Sequence, residues 1–453
     1  MQRTLTGRLA QIVDEIEYES LPSSVIETCK MCFLDFLAAC YSGAESPTAK
    51  AGVSVLAAMG KGSATLIGRR EKATLLGSAL FNGMIAHAEE LDDAHRYASG
   101  LHLGATIFPA ALALAGKGQI SGKKFMRAIV LGYEISSRIC RAIDLAHRQR
   151  GFHSTGTVGP FGSCTASAAV LGLGSETLVH ALGIAGSMGA GLFAFLEDGA
   201  TVKHVHAGRA SMDGLLAALL AKGGMTGPRT VLEAKEGFFR AYSNSANPDE
   251  ILRAVKDPYE ISFAYHKIHS ACGHSFPAID AALALREEIQ NHAGEVRQIE
   301  IKTYRQAAVL KGETPQSIHE ARFSIPFLVG LALIKGRVSQ REWVPETLRD
   351  PQVRKVASQV LVTEDPEIAA QFPRLRSAVL RAEMADGRMI EKRIDSPLGM
   401  PDNPIGWKNI EEKFYVASEG ILNSSTQKEI VHKIRELDSV NAVREITSLL
   451  GRS

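Results

Sequence analysis

The chain has 453 residues, of which 45% are hydrophobic and 22% charged, and its formal net charge is +2 at pH 7. This length exceeds what one hydrophobic core usually serves, so two domains are expected. The composition excludes wholesale disorder. The balanced charge gives no reason to expect nucleic acid or an anionic membrane as a partner.

Residues 1–265 are predicted to form a large all-helical domain, because Ala, Leu and Gly dominate there and β-branched runs are short. The segment SSVIETCKMCFLDFLAACYSG is typical of a capped helix that carries Cys29 and Cys32 on its buried face. Free Cys packs as a small hydrophobic residue, so we interpret this CxxC as core in a reducing compartment. No apolar signal segment follows Met1, so a cytoplasmic protein without membrane spans is expected.

A smaller α+β domain is predicted over residues 266–403. The segments 295–303 and 356–365 alternate as strands do, and 377–395 contains two strand-like runs joined by Asp386-Gly387, a type I′ hairpin dipeptide. Helices are predicted near 276–288 and 323–334. Amphipathic helices return after Pro404, so 404–453 is expected to rejoin the helical domain. The predicted fold class is therefore mainly α with a smaller α+β domain.

A first cluster of polar residues is HAEELDDAHR, which runs from His87 to Arg96 directly after an apolar helix. If that helix continued, His87, Glu90 and one of Asp92 or Asp93 would share a face. Three interpretations remain: a metal site, acid/base groups at a helix end, or a solvated charged helix terminus. No HExxH spacing supports the metal site.

A second cluster, GFHSTGTVGPFGSCTASAA, starts at Gly151 and contains His153. Its glycines and hydroxyls before an Ala-rich helix predict either an anion cradle of backbone N–H groups or a close helix crossing. The GxxxxGK[ST] pattern of a phosphate-binding loop is missing from it.

Two further clusters contain lysine and histidine. In DGATVKHVHAGRA, Lys203 precedes a small-residue helix, where desolvation would lower its pKa toward that of a base, although a solvated helix start is the commoner case. His204 and His206 form an HxH, which is a weak metal signal. The segment KIHSACGHSFPAID, from Lys267 to Asp280, lies where the two predicted domains meet, and ligands often bind in such clefts.

These four clusters, in this order, resemble the MmgE/PrpD family, whose members include 2-methylcitrate dehydratase, cis-aconitate decarboxylase and iminodisuccinate epimerase. The similarity covers nearly the whole chain. The matching segments are HAEELDDAHR with LHLGAT, GFHSTGTVGPFGSCTASAA, TVKHVHAGRASMDGLLAALLA and KIHSACGHSFPAIDAALAL, supported by MTGPRTVLEAKEGFF, EARFSIPF and DSPLGMPDNP.

The resemblance implies a helical domain, an α+β lid domain, a cleft between them, a homodimer and catalysis generally without a nucleotide or organic cofactor. We expect no metal in the site. Carried over by position, Glu90 stands where the family usually has Asp, while His102, His153 and Lys203 match family residues. Two positions depart from the family: Leu103 replaces a proline, and Phe276 replaces a histidine.

The predicted function is acid/base chemistry on a small di- or tricarboxylate, with dehydration of the 2-methylcitrate type first and decarboxylation, epimerisation or non-catalytic carboxylate binding as alternatives. His102 and Lys203 are predicted to transfer protons, oriented by Glu90 and Asp93. The predicted substrate-binding residues are His153, Lys203 and His274, the last as a substitute for the histidine missing at position 276.

Overall fold

The computed structural model describes residues 4–98, 100–255, 258–290, 296–312 and 314–452. Helices dominate the chain, and a small mixed sheet lies in its second half, which confirms a mainly α protein with a smaller α+β region. None of the described helices is long and apolar enough to cross a bilayer.

Helices α1 to α13 form the first region of the chain. Their bounds are Leu5–Glu15, Ser23–Gly43, Pro47–Leu56, Leu75–Ala86, Leu103–Ala115, Gly122–Gln149, Ser154–Thr157, Gly159–Leu171, Ser175–Gly186, Phe195–Asp198, Lys203–Lys222, Phe238–Tyr242 and Asp249–Leu252. Two-residue strands pair antiparallel as β1 (Ala64–Thr65) with β2 (Lys72–Ala73), and β3 (Ala94–His95) with β4 (Ala264–Tyr265).

Small residues let the central helices α4, α5, α6, α8 and α11 approach closely. A Cβ on Gly83 of α4 would lie 2.7 Å from the Cα of Gly208 of α11, and one on Gly132 of α6 would lie 2.9 Å from the carbonyl oxygen of Gly162 of α8. Larger side chains at these crossings would force the backbones apart. The position of α11, which begins at Lys203, therefore depends on this glycine packing.

The second region contains helices α14 to α20 and strands β5 to β8. The helices are Phe276–Gln290, Arg305–Ala308, Ile318–Ala321, Ile325–Lys335, Pro345–Leu348, Pro351–Ala357 and Pro366–Ala369, and the strands are Val296–Thr303, Val360–Glu364, Ala378–Met384 and Met389–Ile394. The strand order is β6-β5-β7-β8, with β5 parallel to β6 and the other pairs antiparallel. Glu295, the first residue of one predicted strand, lies outside the described residues.

The predicted hairpin at Asp386-Gly387 forms, but its turn is not type I′. Gly387 has φ +86°, while Asp386 keeps a negative φ, and Gly387 N–H donates to the carbonyl of Met384 at 3.0 Å. This is a type I turn followed by a left-handed glycine in a three-residue loop. The extended run predicted from residue 356 is also shorter, because Val356 and Ala357 end helix α19.

Two large hydrophobic cores follow from this arrangement. One contains apolar side chains from Leu9 to Ala264 together with the tail from Ile405 to Leu450. The tail forms α21 (Trp407–Ala417), α22 (Ser424–Arg435) and α23 (Arg444–Thr447). The other core contains side chains between Ala271 and Ile390. His266 N–H donates to the carbonyl of Gly399 at 3.1 Å, so the chain enters and leaves the second region side by side.

The cysteines are free thiols, and Cys29 and Cys32 are buried in the first core. Burial raises the pKa of both thiols, so neither is a ready thiolate for redox or metal chemistry. The CxxC is therefore part of the packing, as the helical pattern indicated.

Candidate active site

A cavity of about 280 Å³ lies between the two regions of the chain. A larger cavity of about 750 Å³ adjoins it and shares Arg148, Phe193 and Phe323 with its wall. The ionisable residues that line the inner cavity and matter most here are Glu90, His102, Arg148, His153 and Lys203 from the first region, and His274, Arg305 and Arg376 from the second.

The acidic residues after α4 lie in turns and not on a helix face. Helix α4 ends at Ala86, and Glu90 adopts a left-handed φ of 52°, so the shared helical face expected for His87, Glu90 and Asp92 or Asp93 is wrong. Such a φ costs a residue with a Cβ about 1–3 kcal/mol. The turn lets Glu90 point into the cavity while Asp92 and Asp93 point elsewhere.

Glu90 is held between two buried lysines. Its Oε1 accepts a hydrogen bond from Nζ of Lys203, and its Oε2 accepts one from Nζ of Lys267 at 2.9 Å. The three side chains are at most 3% exposed. Burial would raise the pKa of Glu90, but the two ammonium groups hold it well below its usual value. The site thus contains an ionised carboxylate whose charge is already balanced.

Asp92 orients two of the histidines. Its Oδ2 lies 2.6 Å from Nδ1 of His87 and 3.1 Å from Nδ1 of His102. Burial would raise the pKa of Asp92, but His102, His87 and Lys267 lower it. A proton on Nδ1 of His102, which lies beside this carboxylate, would leave the lone pair of that ring on Nε2.

Asp93 is predicted from the sequence to orient His102 and Lys203, but its carboxylate bonds to other groups next to His102. Its Oδ1 accepts from the Gly104 N–H at 2.8 Å and its Oδ2 from the Tyr133 hydroxyl at 2.7 Å. It therefore fixes the start of α5, next to His102, while Asp92 is the carboxylate beside the imidazole of His102. Burial raises the pKa of Asp93 to about 7.

His153 is the residue before α7, and it lines the cavity. The glycines that follow it serve packing: a Cβ on Gly159 would lie 2.9 Å from both Ala210 and Thr106, and Gly162 faces Ser136. These glycines are not among the cavity-lining residues. The helix-crossing interpretation is therefore correct, and the anion cradle is not formed.

His274 supplies the imidazole of the second region. It lines the cavity, and its Nδ1 lies 2.9 Å from the hydroxyl of Tyr304. Phe276 is fully buried in the second core with its ring 5.1 Å from that of His269. His274, two positions before Phe276, therefore lines the cavity, whereas Phe276 packs into the core.

Three arginines make the cavity wall positive. The guanidinium of Arg148 stacks on Phe193 at 3.6 Å, and Arg376 donates to the carbonyl of Arg96 at 3.0 Å. Arg305 lines the cavity and is exposed to solvent. Across the described ranges, these three residues form no ion pair with a carboxylate, so the guanidinium charges remain available to an anionic ligand.

The imidazoles are neutral at neutral pH. Burial lowers the pKa of His87 to about 3 and the pKa of His102, His153 and His274 below its usual value. Burial would also lower the pKa of Lys267, but Glu90 raises it above its usual value. The site therefore offers neutral imidazole bases beside ammonium and guanidinium cations.

His87, His102 and His153 each offer a nitrogen atom within 4.8 Å of those of the others, which is close enough to consider one metal ion. Lys203 and Lys267 add positive charge beside these rings, and like charges repel strongly in a buried site. The arrangement suits proton transfer to and from an anion better than it suits a bound cation.

The structure brings Glu90, His102, His153, Lys203 and His274 together around one cavity. Sequence reasoning did not assign roles to Lys267, Asp92 and the three arginines. Lys267 and Asp92 lie within clusters that the motifs had already marked. Arg305 and Arg376 lie in no recognisable pattern, and folding alone brings them to the cavity.

Buried carboxylates paired with lysines, neutral imidazoles and guanidinium groups without carboxylate partners among the described residues are suited to acid/base chemistry on an anionic ligand. Family models for the MmgE/PrpD N-terminal domain and the MmgE/PrpD C-terminal domain match residues 7–251 and 269–438. The chain therefore belongs to the MmgE/PrpD family of enzymes. The C-terminal match extends beyond Ile405, although the side chains from there onwards pack into the first core.

Relatives over the full length carry the name cis-aconitate decarboxylase. The protein from Aspergillus terreus is 26% identical over 99% of this chain and 96% of its own length, and that from Homo sapiens is 25% identical over 99% and 95%. A 2-methylcitrate dehydratase from Cupriavidus necator is 24% identical over 63% of this chain and 61% of its own.

Proposed function

We propose that this chain is a cofactor-independent lyase that forms a carbanion next to a carboxylate of a small polycarboxylate. The observation that carries the proposal is the cavity itself, where two distinct kinds of proton-transfer group, imidazole and ammonium, face guanidinium groups without carboxylate partners. The first candidate reaction is dehydration of a hydroxylated tricarboxylate of the citrate type.

Substrate binding follows from charge. Arg148, Arg305 and Arg376 would each pair with a substrate carboxylate, and guanidinium groups suit this task because their fixed donors match two carboxylate oxygens. His153 and His274 would donate or accept neutral hydrogen bonds. Three guanidinium groups match a ligand with two or three carboxylates better than one with a single carboxylate.

Dehydration needs a base at the carbon and an acid at the leaving hydroxyl. His102 suits the base, because a proton on its Nδ1, beside Asp92, would leave the Nε2 lone pair for the substrate proton. The ammonium of Lys203 suits the acid and can protonate the departing hydroxyl, which leaves as water. The carboxylate of Glu90 then stabilises the positive charges of Lys267 and of the protonated His102. Positioned acid/base groups contribute about 10²–10⁴-fold each.

Decarboxylation of a cis-aconitate-type acid is the second candidate, and the full-length relatives with that name favour it. The same site would stabilise the carbanion left when CO₂ departs, and a protonated group would then add a proton to that carbon. Dehydration differs in needing both an acid and a base. Arg305 and Arg376 in the second region would determine which substrate carboxylate lies next to the proton-transfer residues.

A panel of citrate, 2-methylcitrate, cis-aconitate and iminodisuccinate tests the proposal. Alkene absorbance, CO₂ release and loss of optical rotation report dehydration, decarboxylation and epimerisation, respectively. Lys203→Met should lower the turnover rate at least about 10²-fold. Lys222→Met, at the exposed end of the same helix, should leave the rate unchanged. A chelator should leave the rate unchanged. Binding without turnover of any acid would instead indicate a carboxylate-binding protein.

A further inference from the structure

A second histidine stands behind His153. Nδ1 of His153 lies 2.9 Å from Nδ1 of His206, which is on α11 one turn after Lys203. A hydrogen bond between two imidazole nitrogens needs one proton between them, so one ring donates and the other accepts. The tautomer of each ring is therefore tied to that of the other.

The surroundings of the pair keep both rings neutral. Burial lowers the pKa of His206 to about 4, helped by the charges of Lys203 and Arg209. His153 faces the same ammonium and the neutral rings of His87 and His102. No carboxylate of the described chain forms an ion pair with either ring. Neither ring therefore has a carboxylate partner that would hold a proton on it.

The two rings also differ in their access to water. His153 is 1% exposed and lines the cavity, whereas His206 is 9% exposed and does not line it. Arg209, one turn further along α11, has a side chain that is 46% exposed. The pair thus spans from the cavity wall toward the solvent side of α11. With Nδ1 engaged by His206, Nε2 is the nitrogen of His153 left for a cavity ligand.

We propose that His153 and His206 form a proton relay between the cavity and solvent. In one direction, Nε2 of His153 takes a proton from the cavity, the proton on its Nδ1 moves to Nδ1 of His206, and Nε2 of His206 releases its proton to water. In the other direction each step reverses, and a proton from water reaches the cavity. The proton count balances, and no redox partner is needed.

This relay rests on the proposed function, because it matters where a buried reaction consumes or releases protons. Decarboxylation takes up one proton for each CO₂ that leaves, and exchange of a substrate hydrogen with solvent needs the same connection. His206 touches no cavity ligand in this scheme. It is a positioning and relay residue, and His153 is the group that meets the substrate.

Chemical rescue tests the relay directly. His206→Ala should lower kcat by about 10²-fold at low buffer concentration with little change in KM, and added imidazole should restore the rate. His206→Asn, which can still bond to Nδ1 of His153 but cannot pass a proton through, should stay slow. His180→Ala, a half-buried histidine outside the cavity, should neither slow the enzyme nor respond to imidazole.

Nitrogen NMR of ¹⁵N-histidine-labelled protein tests the pair independently of turnover. The wild type should show one Nδ1–H ring coupled through its hydrogen bond to a second ring, and the His206→Ala spectrum should lose that coupling. Unchanged kcat in His206→Ala, a loss that imidazole does not restore, or an absent coupling would each overturn the relay. If the wild type turns over none of the panel acids, the proposed function fails, and the coupling still decides whether the proton-sharing pair exists.

Discussion

Replacing Lys267 by methionine should cost far more stability than removing a surface cation. Lys267 is fully buried, lies 2.9 Å from Oε2 of Glu90 and 3.8 Å from Oδ1 of Asp92, and its loss leaves two buried carboxylates with less positive charge. Breaking a buried ion pair costs about 3–5 kcal/mol. Arg341→Met is the control, because its bond to Glu419 is of similar length, 3.0 Å, but the side chains are 56% and 72% exposed. That change should cost less than about 1 kcal/mol.

Urea unfolding with linear extrapolation gives both free energies. In a double-mutant cycle, Lys267→Met with Glu90→Gln should cost less than the sum of the single changes, because the second change removes one uncompensated charge. The pH dependence has a defined sign. The folded-state pKa values of Glu90 and Asp92 are lowered, so their stabilisation is present above the unfolded values and lost as pH falls through the folded ones. The cost of Lys267→Met should therefore shrink as pH falls below about 4. A cost equal to that of Arg341→Met would refute the reasoning.

Three further changes probe other features of the site. The pKa of Asp93 is raised to about 7, so its stabilisation is present below its unfolded value and lost as pH rises through 7. Asp93→Asn should therefore gain on the wild type between pH 5 and 7 in urea unfolding, by about 2.7 kcal/mol at most, and gain little more up to pH 9; parallel curves would contradict this. Phe276→His should destabilise the second core by about 2–4 kcal/mol in the same assay without raising turnover, since position 276 faces the core and not the cavity. Arg148→Gln should raise KM about 10-fold or more in steady-state kinetics with little change in kcat, and an unchanged KM would remove this arginine from substrate binding.

The fold class and much of the site could be predicted from sequence because both depend on local patterns. Apolar periodicity indicated the helices, alternation indicated β5 and the β7–β8 hairpin, and the clusters contained His102, His153 and Lys203. The resemblance to a family also linked clusters that lie far apart in the chain. His274 could be singled out because Phe276 occupied the family position.

The remaining features depend on geometry that one sequence does not encode locally. Whether α4 ends at Ala86 or continues for further turns decides if His87, Glu90 and Asp93 share a face, and the left-handed φ of Glu90 decides that they do not. The exchange of roles between Asp92 and Asp93 follows from this turn. Arg376 could not be found because only the packing of the second region onto the first brings it to the cavity.

Because His266 pairs with Gly399, the second region is a continuous stretch of chain inserted into the first. His102, Lys203 and Glu90 all belong to the surrounding segment, while His274, Arg305 and Arg376 belong to the inserted stretch. In the proposed mechanism the proton-transfer groups thus all belong to the surrounding segment, whereas the substrate-binding groups are divided between that segment, with Arg148 and His153, and the insert. Exchanging the insert between relatives would alter the acid that is accepted and leave the proton-handling groups in place.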